Sequence, residues 1–502
     1  MDLKNSILCY LKETVGIHAD KIAVNDGKGT VTFEELNNTA LSLSYKISSV
    51  LGGKKRSPIM VYLPKSCASI IAFMGVLYSG NFYTPTDVAF PYAKVKSITD
   101  ILEPALYVSD TKNSNKLIEN GISKNMIVNI DELDMENKLD CSDSIIDTDI
   151  VYTLFTSGST GVPKGVAVSN RSIIDYIEWA IDTFDISSTE IIGNQAPFYF
   201  DNSTLDIYLS VFAGASLYII PKMNFSFPVK LIEYVNKNNI NMIFWVPSVF
   251  ISVANADILS RIPCECLKKI LFAGEVMPNK QLNYWRKYIP DAVYANLYGP
   301  TEITVDCTYY IVNREFADDD PLPIGIPCRN SDVMILDEND QLITSPDKTG
   351  ELCVRGTSLA MGYWNNPSKT KEAFVQNPLN AHYPETIYRT GDIVYYNSLG
   401  EIMFSGRKDF QIKHLGHRIE LGEIENAACG IEAVKNVCAV YNTEKRQIVL
   451  FYQGNTGEKD ILDHLTKTLP AYMIPSVIKN IPAFPYNDNG KIDRKKLMNE
   501  FI

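Results

Sequence analysis

Histidine is scarce, with five in 502 residues, and none clusters with carboxylates. A histidine-based triad or a zinc centre therefore has no visible support. Cysteine is present without pattern: ten residues are scattered from Cys9 to Cys438. The one close pair, Cys264-Glu-Cys266, lacks a second pair to complete a metal site. Reduced, packed thiols and a cytoplasmic location are the expectation. No apolar run reaches bilayer-spanning length, which argues against a transmembrane segment. The start, "MDLKNSILCYLKETVG", has neither the apolar core nor the cleavage site of a signal peptide and reads as a short amphipathic helix. Positive charge is in deficit: 47 Lys and Arg against 59 Asp and Glu give a formal net charge of −12, which speaks against a nucleic-acid partner. Internal repeats, low-complexity tracts and long linkers are absent.

A chain of 502 residues is too long for one hydrophobic core, so roughly two to four domains or subdomains are expected. Short β-branched and aromatic runs, such as "SPIMVYL", "DIVYTLF", "NMIFWVP" and "KKILFAG", alternate with helical patterns such as "SCASIIAFMGVLYSG". That texture indicates α/β layers built on mostly parallel sheet. Around 320–410 it changes to short strands and turns, as in "GELCVRG" and "TIYRTGDIVYYNSLGEIMFSG", and after "GRKDFQIK" it becomes α+β. The expected fold is α/β: a large N-terminal domain of layered subdomains with a small β-rich subdomain, then a small α+β C-terminal domain.

Within "YTLFTSGSTGVPKGV" (152–166), an apolar strand runs into Thr156, Ser157, Gly158, Ser159, Thr160 and Gly161. Backbone N–H groups of such a turn can form an anion nest, to which the hydroxyls add donors. Gly158 and Gly161 allow positive φ and close approach of an oxyanion. Lys164 adds a point charge. A Walker loop would need GxxxxGK[ST] opening a helix, whereas here Pro163 and Gly165 flank the lysine.

The loop resembles the phosphate loop of the adenylate-forming superfamily, which includes acyl-CoA synthetases, peptide-synthetase adenylation domains and firefly-type luciferases. Further motifs of that family follow in order: "NLYGPTEITV" (296–305), "GELCVRGTSLAMGYW" (350–364), "YRTGD" (388–392), "GRKDFQIKHLGHRIELGEIE" (406–425) and "NDNGKIDRKKL" (487–497). The resemblance covers essentially the whole chain. It implies that a carboxylate attacks the α-phosphate of ATP to give an acyl-adenylate and pyrophosphate, after which a thiol takes the acyl group. Such transfers need positioning and charge neutralisation more than covalent help.

By resemblance, Tyr298 stacks on adenine with Asn296 near its amino group, and Gly274, Glu275 and Gly299 belong to the same nucleotide site. Thr301 is an α-phosphate donor, and Glu302 is the carboxylate associated with Mg²⁺. Asp392 and Arg407 hold the ribose, and Lys491 is the catalytic cation. Residues 1–405 correspond to the AMP-binding core and 406–410 to a hinge about Asp409. Residues 411–502 correspond to a mobile lid that turns between the two half-reactions.

"APFYFDNSTLDIY" (196–208) carries Asp201. In amino-acid-activating members an aspartate here pairs with the substrate ammonium, although Asp201 also suits a helix N-cap. Other pocket positions carry over as Asn202, Leu205, Trp245, Leu271, Ala273, Leu297, Val305 and Asp306. The texture is similar to that of stand-alone D-alanine–carrier protein ligases, which makes D-alanine one expectation. Ala273 and Asp306 depart from that pattern. A buried acid at a pocket wall favours a ligand hydroxyl or ammonium, so serine or a small diamino acid is the other expectation. The sequence runs only five residues past Leu497, so the acceptor is expected in trans, as phosphopantetheine on a carrier protein. Lys408, Lys413, His414, His417 and Arg418 form a basic cluster that could meet it. The alternatives are an acyl- or aryl-CoA ligase, in which Asp201 would be dispensable, and a non-catalytic nucleotide-binding relic.

Overall fold

The β-branched and aromatic runs Met242–Trp245, Lys269–Phe272 and Val293–Tyr298 become adjacent parallel strands, in register Phe244↔Leu271↔Ala295. A computed structural model describes residues 4–158, 162–409, 411–485 and 492–501 of the chain. These three strands form the centre of a nine-stranded sheet among the described residues. Ile191–Asn194, Ser216–Ile219 and Ile22–Asn25 continue it in parallel. A seven-stranded sheet holds Pro58–Tyr62, Phe82–Thr86, Leu106–Ser109 and Ile150–Thr156, again parallel at its centre. The third sheet, of five antiparallel strands, includes Gly350–Gly356, Thr386–Tyr396 and Ile402–Arg407.

Parallel strands covered on both faces send alternate side chains into different cores. Met242, Phe244, Leu271 and Ala273 join one apolar cluster; Ile243, Trp245, Ile270 and Phe272 join another, with Phe250 and Trp285. Helix Asn202–Ala213 belongs to the first cluster and is buried along most of its length. Its Thr204 donates to Tyr152 Oη at 3.2 Å, and Tyr208 shares a hydrogen bond with Tyr83 at 2.8 Å, tying it to the seven-stranded sheet.

The chain divides into two compact units. The larger comprises Met1–Val88, Glu103–Leu154 and Gly165–Lys408, and the smaller Ala89–Leu102, Phe155–Lys164 and Asp409–Ile502. The smaller unit is therefore discontinuous, whereas the sequence motifs suggested a continuous boundary between 405 and 411. Tertiary contact draws in helix Tyr92–Leu102, whose Lys94 forms a buried 2.6 Å ion pair with Glu423. Within this unit, strands Gln411–His414 and His417–Glu420 form a hairpin around Leu415 (φ 51°) and Gly416 (φ 79°). Positive φ at both central positions gives the twist favoured by a two-residue hairpin. Strands Val434–Asn442, Gln447–Gly454 and Val477–Asn480 form a separate sheet with helices Leu421–Cys429 and Glu458–Thr468. No helix among the described residues is long and apolar enough to cross a membrane.

In the larger unit, helix Phe33–Leu51 starts at a capping box, in which Thr32 accepts from Glu35 N while Glu35 accepts from Thr32 N. It packs on the apolar helix Cys67–Tyr78. A Cβ on Gly75 would lie 2.8–2.9 Å from Cβ, Cγ and Cδ2 of Leu43, so the packing leaves no room for a methyl group. Gly75→Ala should destabilise the chain by about 1–3 kcal/mol despite alanine's better helix propensity. Chemical denaturation followed by circular dichroism would check this.

Candidate active site

Most of the larger unit's expected site residues stand at or just beyond the carboxyl ends of parallel strands, where open α/β sheets bind ligands. Ala273, Gly274 and Glu275 follow Lys269–Phe272; Gly299, Pro300 and Thr301 follow Val293–Tyr298. Asp201 closes the segment after Ile191–Asn194 and caps helix Asn202–Ala213, accepting from Asn202 N at 3.0 Å. Its other oxygen accepts from Thr301 Oγ1 at 2.6 Å. The N-cap contact thus leaves the second oxygen on Thr301, another of the expected site residues. Glu302 is fully buried and accepts from the Tyr363 hydroxyl at 2.8 Å. Asn202 is buried, and its Nδ2, close to Gly274, has no acceptor among the described residues. Glu275 accepts from Ser248 N at 2.9 Å.

The turn after Glu302 is strained. Thr304 and Val305 have φ of 57° and 74°, a region that β-branched residues rarely enter. Asp306 N donates to Thr304 O at 3.1 Å across Val305, a three-residue γ-turn. The turn folds back on Gly299, where a Cβ would lie 2.6 Å from Asp306 Cα. Glycine is therefore required at 299, and the strain fixes the direction of Asp306.

Asp392 and Arg407 face each other across adjacent antiparallel strands and form an ion pair. The Tyr298 hydroxyl donates to the same carboxylate. Burial, then the Asp392 charge, pushes that phenol well above its ordinary pKa, so it remains a donor. Tyr298 is almost wholly buried, and its neighbour Asn296 donates to Pro323 O at 2.8 Å.

Of the expected pocket residues, Leu205, Leu271, Ala273, Leu297 and Val305 are buried in one apolar cluster. Trp245 is not among them and must be corrected. It packs in the opposite core against Phe225 and Phe250, with its indole donating to Gly193 O at 2.7 Å. Strand alternation gives that face to Phe244 instead. Asp306 accepts from the Tyr176 hydroxyl at 2.6 Å.

In the smaller unit, Ser157 Oγ donates to Arg418 O at 2.9 Å and accepts from Glu420 N at 3.2 Å. This expected phosphate donor thus bonds the edge of the 411–420 hairpin. Gly158 is needed for close approach rather than for positive φ, because a Cβ there would collide with the Val162 carbonyl. Thr156 Oγ1 reaches Lys164 O at 3.5 Å. Asp409 accepts from Gln411 N at 3.2 Å. Ser159, Thr160, Gly161 and Lys491 lie outside the described residues. Of the expected basic residues, Lys408 belongs to the larger unit and pairs with Glu351 there, while in the smaller unit His414 is buried against Tyr441 and His417 stacks on Tyr472.

The profile of the AMP-binding enzyme family matches residues 11–364. Zwittermicin A synthase ZmaJ of Bacillus cereus is 31% identical, over 95% of this chain and 92% of that protein. The D-alanine–D-alanyl carrier protein ligase of Listeria innocua is also 31% identical, over 94% of each. This chain belongs to the AMP-binding enzymes. Its fold is that of the Vibrio cholerae adenylation domain AlmE, solved with glycyl-adenosine-5'-phosphate. The TM-score is 0.85 at 23% identity, over 100% of this chain and 99% of that one.

As an AMP-binding enzyme, an adenylate-forming ligase, the chain uses ATP. Three residues of its candidate site received no role from the sequence: Tyr363, Tyr176 and Phe244. Tyr363 lies inside a recognised motif, and its hydroxyl was the available signal. Phe244 was recoverable from the period-two alternation of its strand. Tyr176 had no signal, because its partner is 130 positions away. Phe244→Ala should reorder the carboxylic acids accepted in ATP–pyrophosphate exchange. Trp245→Phe should leave that order intact and cost about 1 kcal/mol of stability through the lost indole hydrogen bond. A reordered specificity in Trp245→Phe would return that residue to the pocket.

Proposed function

We propose that this chain adenylates a small amino acid and passes it to a carrier protein supplied in trans. The amino-acid carboxylate attacks the α-phosphate of ATP, pyrophosphate leaves, and the phosphopantetheine thiol then takes the acyl group with release of AMP. The Asp201–Thr301 pair carries this reading, because it joins a buried carboxylate to a hydroxyl of the "GPTE" turn. A buried carboxylate favours a ligand that brings its own cation, as an amino acid does and a fatty or aryl acid does not.

The remaining roles follow from the chemistry. Asp201 receives the α-ammonium, and Thr301 stands next to the reacting phosphate. Asp392 accepts from the ribose hydroxyls, oriented by Tyr298 and Arg407, while Tyr298 and Asn296 border the base. Gly274, Glu275 and Gly299 line the nucleotide side. The 156–161 loop and Lys164 cradle the outer phosphates. Lys491 supplies positive charge where it is most needed, at the substrate carboxylate and bridging oxygen. The described residues contain no group of three metal-ligating side chains. Mg²⁺ fits this donor set, since it binds through one or two carboxylates plus phosphates and water. Glu302 would hold it, and it would neutralise phosphate charge. Asp409 acts as the hinge that turns 411–502 between the half-reactions. A carrier-protein acceptor is supported by the similarity to a D-alanyl carrier protein ligase.

D-alanine and serine, or a small diamino acid, are the substrates this reading favours. The same relative supports the first, and the acid at position 306 supports the second. The test is ATP–pyrophosphate exchange over both alanines, both serines, β-alanine, 2,3-diaminopropionate and several fatty and aryl acids. Exchange should require an amino acid and fall by at least about 100-fold in Lys491→Ala. Asp201→Ala should lose most amino-acid-dependent exchange. Exchange only with acids that lack an amine would hand the chain to the CoA ligases.

A further inference from the structure

Tyr176 stands on helix Asn170–Phe184, outside every motif that marks the site. Its hydroxyl meets Asp306 Oδ2 at 2.6 Å, with tyrosine and aspartate exposed by only 3% and 2%. Its ring stacks on Trp179, with centroids 5.7 Å apart. Asp306 is fixed from the other side by the strained turn at Thr304 and Val305. Burial, followed by the charges of Asp306 and also Asp201, keeps the phenol protonated. Thr301, in the same turn as Asp306, holds Asp201, which places Asp306 in the same buried region as the proposed ammonium partner.

A phenol has one proton. Once that proton is committed to Asp306, Oη can only accept, as can the carboxylate itself. The pair therefore presents acceptors to whatever lies beside it. Asn202, next in sequence to Asp201, adds a buried Nδ2 donor without a partner among the described residues. A methyl side chain would match none of these groups, whereas a hydroxyl can donate to the pair and accept from an amide. Unmatched buried polar groups discriminate strongly between ligands of equal size.

We propose that Tyr176 is a positioning residue for substrate choice: by holding Asp306, it makes the site select a short amino acid whose β-substituent donates a hydrogen bond, a hydroxyl or an ammonium, over one bearing a methyl. This rests on the amino-acid adenylation reading above. The test is amino-acid-dependent ATP–pyrophosphate exchange on the full chain, comparing serine and 2,3-diaminopropionate with alanine of the same configuration. The wild type should prefer a donor-bearing acid by about tenfold or more in kcat/KM. Tyr176→Phe should shrink that ratio by about tenfold, mainly through the amino-acid KM, with the KM for ATP unchanged. A purely structural tyrosine would lower all amino acids together, and that result overturns the proposal. So does a wild type that prefers alanine. If Tyr176→Phe fails to fold, Tyr176→Met, which likewise cannot donate to Asp306, reads the same ratio. Loss of ammonium preference in that variant supports the proposal, and an unchanged ratio overturns it. Exchange with no amino acid at all would instead defeat the adenylation reading on which the proposal stands.

Discussion

A carboxylate taken out of water demands donors, and four buried carboxylates at this site each receive a hydroxyl. Asp201 is held by Thr301, Glu302 by Tyr363, Asp306 by Tyr176 and Asp392 by Tyr298, the last with Arg407 in addition. A hydroxyl satisfies an oxygen without cancelling its charge, as a lysine or arginine would. Held in this way, Asp201, Glu302 and Asp306 keep a fixed orientation. These bonds join residues 61 to 130 positions apart, so each also records that the surrounding layers have closed.

The turn between Gly299 and Asp306 depends on the same closure. Two consecutive β-branched residues in left-handed conformation persist only where neighbours over-determine them. Here the strand Val293–Tyr298 holds one end, the Asp201–Thr301 bond holds the middle, and Tyr176 anchors Asp306 beyond it. The strain is stored where the turn holds Thr301 and Asp306 in fixed directions.

Much of this was legible in the residues. Short β-branched runs between helical patterns imply parallel sheet, and the strands form where those runs stand. The motifs fall at the carboxyl ends of strands because the hydrophobic run supplies the strand and the Gly-, Pro- and Thr-rich segment after it supplies the turn. Trp245 shows where such reading stops. Its strand is apolar on both faces, so hydrophobicity carries no phase, and a one-residue error moves a side chain to the opposite core. Ser157 is a second case. A hydroxyl in a loop can serve a phosphate or a neighbouring strand edge with equal chemistry, and in this structure it bonds the 411–420 hairpin.

The sequence by itself determined the inventory: which acids, hydroxyls, glycines and lysines are present, in what order, and hence the adenylate-forming family and its ATP chemistry. Local rules suffice for that, because motifs and strand runs are contiguous. Only the tertiary structure decided which face each buried strand presents, that 89–102 and 155–164 cluster with 409–502, and which hydroxyl meets which carboxylate. Those outcomes are set by burial between layers and by hydrogen bonds across long stretches of chain. No periodicity within a segment encodes a partner that arrives from another one.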